Sequence, residues 1–209
     1  VVFSLESPDG EEGFPGNVIA EVSYQLSNNN EFIYEISAKT DFPTPVNMTN
    51  HVYFNLSADA SSVQDHLLQI SAQRYFAQDE NLVVTGELLP VKGTAYDFSA
   101  PRPIGRNWNP ETGYDQAFEI DKDPGKWACI ARASSPKTGI SLEVHTSEPV
   151  VQFYSGGFLN GIKGKGGVTY PKFSGFCLGT HHHPNAVNIP SFPDTILQPR
   201  QSYRQRTLF

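Results

Sequence analysis

The chain has 209 residues, a length suited to one domain whose core needs no covalent staples. Its 15 Lys and Arg against 22 Asp and Glu leave a net charge of −7, which argues against a nucleic-acid partner and against a polybasic membrane surface. Charged residues make up 18% and aromatic residues 12%, and dispersed Gly (17) and Pro (16) favour short strands and turns over helices.

The opening VVFSLESPDG has no basic region and no Met, so no secretory leader is visible, and it reads as mid-protein sequence, with either further polypeptide before Val1 or a processed N-terminus expected. A cytoplasmic location is expected, with secretion left open, and no apolar run approaches the length of a membrane span. Cys129 and Cys177 allow at most one bridge and leave the redox compartment unread.

In chain order, Asp9, Gly10, Gly13 and Gly16, with Pro8 and Pro15, mark a loop. Over 18–40 the apolar residues alternate: Val18, Ala20, Val22, Tyr24 and Leu26, then Phe32, Tyr34, Ile36 and Ala38 after the cluster Asn28, Asn29, Asn30. Two alternating runs around an Asn cluster predict a hairpin. Pro43 and Pro45 punctuate the chain, and 67–72 reads as one strand. The stretch 78–110, interrupted by Gly86, Pro90, Gly93, Pro101, Pro103 and Pro110, reads as irregular. Strands are predicted over 117–121, 128–133, 140–146 and 150–154, a flexible glycine loop over 156–167, and strands again over 173–178 and 202–208. Many short strands without a helical period predict an all-β sandwich or barrel, and the lack of repeats or linkers predicts a single domain over 1–209.

The segment TPVNMTNHVYFNLSA at 44–58 resembles the aldose 1-epimerase (galactose mutarotase) family, which carries an Asn-His pair followed by Tyr or Trp, Phe, Asn and Leu. Further stretches are similar in the same order: SPDGEEGFPGN at 7–17, RYFAQDENLVVTGELLPVKGTAYDF at 74–98, GYDQAF at 113–118, EPVVQFYSGGFLNG at 148–161 and NIPSFPDTILQP at 188–199. The resemblance implies a large antiparallel β-sandwich with a sugar cleft on one concave face, binding a monosaccharide such as galactose or glucose. It implies anomer interconversion by general acid/base ring opening, which needs no metal and no organic cofactor.

His51 matches the family's general acid, a role suited to an imidazole that titrates near neutrality. Asp115 and Gln152 match residues that hold sugar hydroxyls, and Tyr53 offers an aromatic face. The structural alternatives are a hydrogen-bonded His in an aromatic strand, a turn Asp beside Gly113 and core aromatics. The family's general base is a Glu, and the matching position here is Gly179, which takes no proton. A second departure is Gln116, where the family usually has His after the matched Asp. The resemblance also implies that this chain matches the C-terminal part of a larger sandwich, with an N-terminal segment or second chain completing it. Of the cluster His181, His182 and His183, only alternate members of a strand share a face, which disfavours metal binding; His181 is expected to line the cleft beside Gly179. The sequons at Asn47 and Asn55 fall inside the motif strand and read as coincidental.

Overall fold

The computed structural model describes residues 1–209. Alternation over 18–40 builds its first hairpin, β2 (Val18–Leu26) against β3 (Phe32–Thr40), with β1 (Val2–Ser7) along the outer side of β2. Ala20, Tyr34, Ile36 and Ala38 are buried, whereas Glu21 and Glu35 face water. Ser27 N–H donates to the Glu31 carbonyl at 2.9 Å across the turn. Asn30 sits at φ 62°, a left-handed conformation that its short polar side chain tolerates.

The remaining strands are β4 (Thr44–Pro45), β5 (Leu67–Ile70), β6 (Ala72–Gln78), β7 (Val84–Pro90), β8 (Arg102–Pro103), β9 (Asp115–Ile120), β10 (Ala128–Ser134), β11 (Ser141–Thr146), β12 (Val150–Tyr154), β13 (Ile162–Lys163), β14 (Thr169–Tyr170), β15 (Cys177–His181), β16 (Ile196–Leu197) and β17 (Tyr203–Leu208). They form an eight-stranded sheet in the order β1-β2-β3-β17-β11-β10-β5-β8 and a five-stranded sheet in the order β15-β12-β9-β6-β7. Pairing in both sheets is antiparallel, as the sequence predicted for an all-β sandwich.

One apolar cluster joins the sheets. Ile36, Leu68, Ile70, Ile130 and Val144 come from the large sheet, and Phe118, Val151, Phe153 and Leu178 from the small one. Burying side chains of this size stabilises the fold by about 1.5–3 kcal/mol each. A polar thread crosses the same interface. The Tyr34 hydroxyl lies 2.8 Å from Thr180 Oγ1, which lies 2.6 Å from Thr207 Oγ1, and Gln205 Nε2 donates to the Thr180 carbonyl at 2.5 Å. It fixes β15, the edge of the small sheet, against β3 and β17. The other face of the small sheet buries Phe76, Ala117 and Val150 beneath Ile189 and Phe192.

Several expectations are corrected. The run 67–72 is two strands, because the chain changes sheets at Ser71: its N–H donates to the Ile130 carbonyl at 2.8 Å and its carbonyl accepts from Asp121 N–H at 2.9 Å. The stretch 78–110 holds β7, an edge strand where Gly86 and Pro90 interrupt no inner ladder. The expected strand 173–178 starts late, as β15, and the glycine loop holds β13, which pairs with β14 just beyond it in a small ribbon. The segment around His51 is an extended loop and not a strand; beyond β4, its one ladder contact is the Phe54–Phe176 bridge. Asp115 opens β9 and is no turn residue. No helix is long and apolar enough to cross a membrane.

Candidate active site

β12 lies between β15 and β9, and register builds the site. Gln152 stands opposite Gly179 and Ala117, and Tyr154 opposite Cys177 and Asp115. Directly paired residues project to one face. Gly179, Gln152, Cys177, Tyr154 and Asp115 therefore share the face turned away from the core, while Val151, Phe153 and Leu178 fill the core between the sheets. Gly113, at φ 66°, lets the chain pass against Ser155, whose hydroxyl accepts from Tyr114 N–H at 2.8 Å and so fixes the start of β9.

The loop 46–55 lays His51 and Tyr53 over this face. It is pinned from both ends. Asn47 Nδ2 donates to the carbonyls of His182 and His183 at 3.2 and 3.3 Å, and Met48 N–H donates to the Tyr203 hydroxyl at 3.2 Å. Asn50 Oδ1 accepts from Val52 N–H at 2.9 Å, and Asn55 Nδ2 donates to the Ser174 carbonyl at 2.9 Å. The two sequon amides thus hold backbone carbonyls.

The resulting cavity, about 250 Å³, is lined by His51, Tyr53, Asp115, Gln152, Cys177 and Gly179, with Thr49, Asn50, Tyr154 and Phe158 completing its wall. Gln152 Nε2 donates to Asp115 Oδ1 at 2.6 Å, leaving the other carboxylate oxygen and the Gln152 carbonyl for hydroxyl donors. His51 Nδ1 lies 3.4 Å from Cys177 Sγ, which orients the ring and leaves Nε2 for a bound molecule. A thiol donates to a neutral imidazole or accepts from a protonated one, so this contact serves both states. Burial, with Asp115 adding, pushes the Cys177 thiol up to about 12. Burial, with Cys177, Tyr154 and Asp115 adding, pushes the Tyr53 phenol up to about 12 as well. Both stay protonated at neutral pH. The His51 ring centre lies 5.1 Å from that of Tyr53 and 6.0 Å from that of Tyr154. A larger apolar depression of about 680 Å³ shares Tyr53, and its carboxylate, Asp59, is paired with Lys137.

Of the residues singled out in the sequence, the structure brings His51, Tyr53, Asp115, Gln152 and Gly179 to this one cavity. His181 does not. It shares the face of Gly179, but its side chain is one step further along β15, buried opposite Val150, with Nδ1 2.5 Å from the His182 carbonyl. Burial pulls its pKa down. Cys177 and Thr49 were missed. Placing the predicted strand at 177–181 would have put Cys177 on Gly179's face by simple alternation.

A model of the family described as aldose 1-epimerase matches residues 1–209. The chain is 45% identical over 213 residues to the galactose mutarotase of Homo sapiens, and 38% identical over 216 residues to the aldose 1-epimerase of Escherichia coli K12. It covers 100% and 99% of itself in these matches and 62% of each relative, so it spans less than two thirds of the length of the relatives it matches. The crystal structure of an aldose epimerase homologue from C. elegans superposes with a TM-score of 0.90 at 30% identity, over 100% of this chain and 64% of that one. That of a galactose 1-epimerase from Lactobacillus acidophilus gives 0.83 at 25% identity, over 99% of this chain and 60% of that one. The chain belongs to the aldose 1-epimerase family, and its β-sandwich is of the galactose mutarotase type.

Proposed function

We propose that the cavity binds an aldohexose such as galactose or glucose and interconverts its α and β anomers by acid/base ring opening. The observation that carries this reading is the convergence of His51, Asp115 and Gln152 from three separate segments on one 250 Å³ cavity of donors and acceptors. His51 gives a proton to the ring oxygen as the C1–O5 bond breaks, and the anomeric hydroxyl passes its proton to water entering the cavity at the Gly179 position as the aldehyde forms. The aldehyde rotates, the ring closes on its other face, and both protons return. Asp115 and Gln152 hold vicinal hydroxyls, and the Tyr53 ring covers an apolar sugar face.

A second reading, a carbohydrate-binding protein with impaired turnover, is favoured by Gly179. The family resemblance assigns the base to this position, and a glycine supplies none. Such a group contributes about 10²–10⁴-fold, so its loss slows the reaction while leaving hydroxyl contacts in place. Polarimetry of freshly dissolved α-D-galactose and α-D-glucose tests the first reading. A rate above buffer supports it. A buffer rate with intact hexose binding leaves the second reading, and a buffer rate without binding contradicts both. β1 is one surface open to a second chain or further segment: it is an edge strand, and its Val2, Phe3 and Leu5 are exposed.

A further inference from the structure

The outer face of the large sheet, on the far side of the molecule from the sugar cavity, carries a second group of reactive side chains. β10 and β11 are inner strands of that sheet. Along β11, Val144 and Thr146 are buried, so Glu143 and His145 project outward. Along β10, Ala131 and Ala133 are buried and Arg132 projects outward. Strict alternation would send Cys129 into the core with Ala131. A β-bulge between Cys129 and Ala131 reverses this: Cys129 pairs with His145 and Arg132 with Glu143, so Cys129 joins the outer face. Bulges re-aim side chains in this way beside functional sites.

We propose that Cys129, Glu143 and His145 form a binding site for a divalent transition-metal cation of the zinc class, with a fourth position open to water. The three donor atoms lie within 4.8 Å of one another. His145 Nε2 is 3.0 Å from Glu143 Oε2, and Arg132 Nε holds Glu143 Oε1 at 2.8 Å, which turns Oε2 toward the imidazole. Tetrahedral zinc with ordinary bond lengths sets such N···O and S···N pairs roughly 3.4–3.6 Å apart, so side-chain rotation alone closes the set. Thiolate, imidazole and carboxylate together suit zinc and cobalt rather than magnesium or calcium, which take oxygen donors. Burial raises the Cys129 thiol, so without a cation it stays protonated. Binding displaces that proton to solvent and leaves the sulfur as the anionic ligand, and affinity therefore rises with pH. His181–His183, the cluster that drew the metal question in the sequence, offers no comparable convergence.

Titration of the protein with Co²⁺ alone tests the proposal. The expected result is a saturable thiolate-to-cobalt charge-transfer band in the near ultraviolet, with visible bands of tetrahedral cobalt, both abolished by excess Zn²⁺. Cys129→Ser should remove the charge-transfer band, and His145→Ala should weaken binding by about tenfold or more. Zn²⁺ should also slow modification of Cys129 by a disulfide reagent. If Cys129→Ser fails to fold, His145→Ala and Glu143→Gln, both outward-facing, carry the comparison. Only the spectrum of aqueous Co²⁺ at millimolar metal, with the protein folded by circular dichroism, would show that the cluster is an Arg132–Glu143–His145 ion-pair network alone and overturn the proposal. A charge-transfer band that persists in Cys129→Ser would also overturn it, assigning the thiolate to Cys177.

Discussion

At the scale of single residues, two positions decide what the cavity does. His51 is held by Cys177 at Nδ1 with Nε2 left open. His51→Gln should lower any mutarotation rate by about 10²–10⁴-fold while changing hexose affinity little, a split that polarimetry and calorimetry together resolve. Gly179 has no left-handed φ, so a side chain there meets no conformational strain, but its Cβ would stand 2.9 Å from Thr49 Oγ1 and 3.3 Å from the Asn50 carbonyl oxygen, so the loop must give slightly. Gly179→Glu should raise the mutarotation rate, and Gly179→Glu with Thr49→Ala should raise it further by clearing that hydroxyl. No gain in either variant would place the missing function elsewhere. His51, Asp115 and Gln152 were legible because each sits in a short motif of its own. Cys177 was not, because its place in the cleft depends on the register of β15 against β12, which pairs residues distant in sequence.

At the scale of elements, the hairpin β2–β3 was legible to the residue because period-two alternation and the Asn cluster agree. Asn30 tests the turn. Asn30→Gly should leave the urea midpoint unchanged or raise it slightly, whereas Asn30→Val should cost roughly 1–2 kcal/mol, because a β-branched side chain clashes at φ 62°. The break at Ser71 was not legible, since apolar alternation continues from Leu68 through Ile70 to Ala72 and nothing local announces a change of sheet. β7 was hidden by Gly86 and Pro90, which read as loop residues unless the strand is known to be an edge. The thread of Tyr34, Thr180, Thr207 and Gln205 joins three strands across the sandwich. Thr180→Val should cost about 1–3 kcal/mol by orphaning its buried partners, read as a lower urea midpoint.

At the scale of the whole molecule, buried imidazoles set the pH response. Burial lowers the pKa of His66, His181 and His183. His66 Nε2 accepts from Leu56 N–H at 2.9 Å, which requires a neutral ring. A His depressed in the folded state binds its proton more readily when unfolded, so its contribution is full above the unfolded value of about 6.5 and is lost as pH falls through the folded value. Urea stability should therefore be level from pH 7 to 8 and decline below about 6.5. A midpoint that rises on acidification would contradict this. The sandwich as a whole was legible from composition and the motif order, because both average over many residues. How the sheets bring the motifs to one cavity was carried by long-range pairing, which local pattern does not encode.

We propose above all that His51, Asp115 and Gln152 form one hexose-binding cavity on the small sheet. Calorimetric titration of the folded protein with galactose and with glucose tests it most directly, against Asp115→Ala as the matched variant. Saturable binding of at least one hexose is expected, weakened by about tenfold or more when the Asp115 carboxylate and its bond to Gln152 are removed. Absence of binding by the folded chain, or binding untouched by Asp115→Ala, would contradict it.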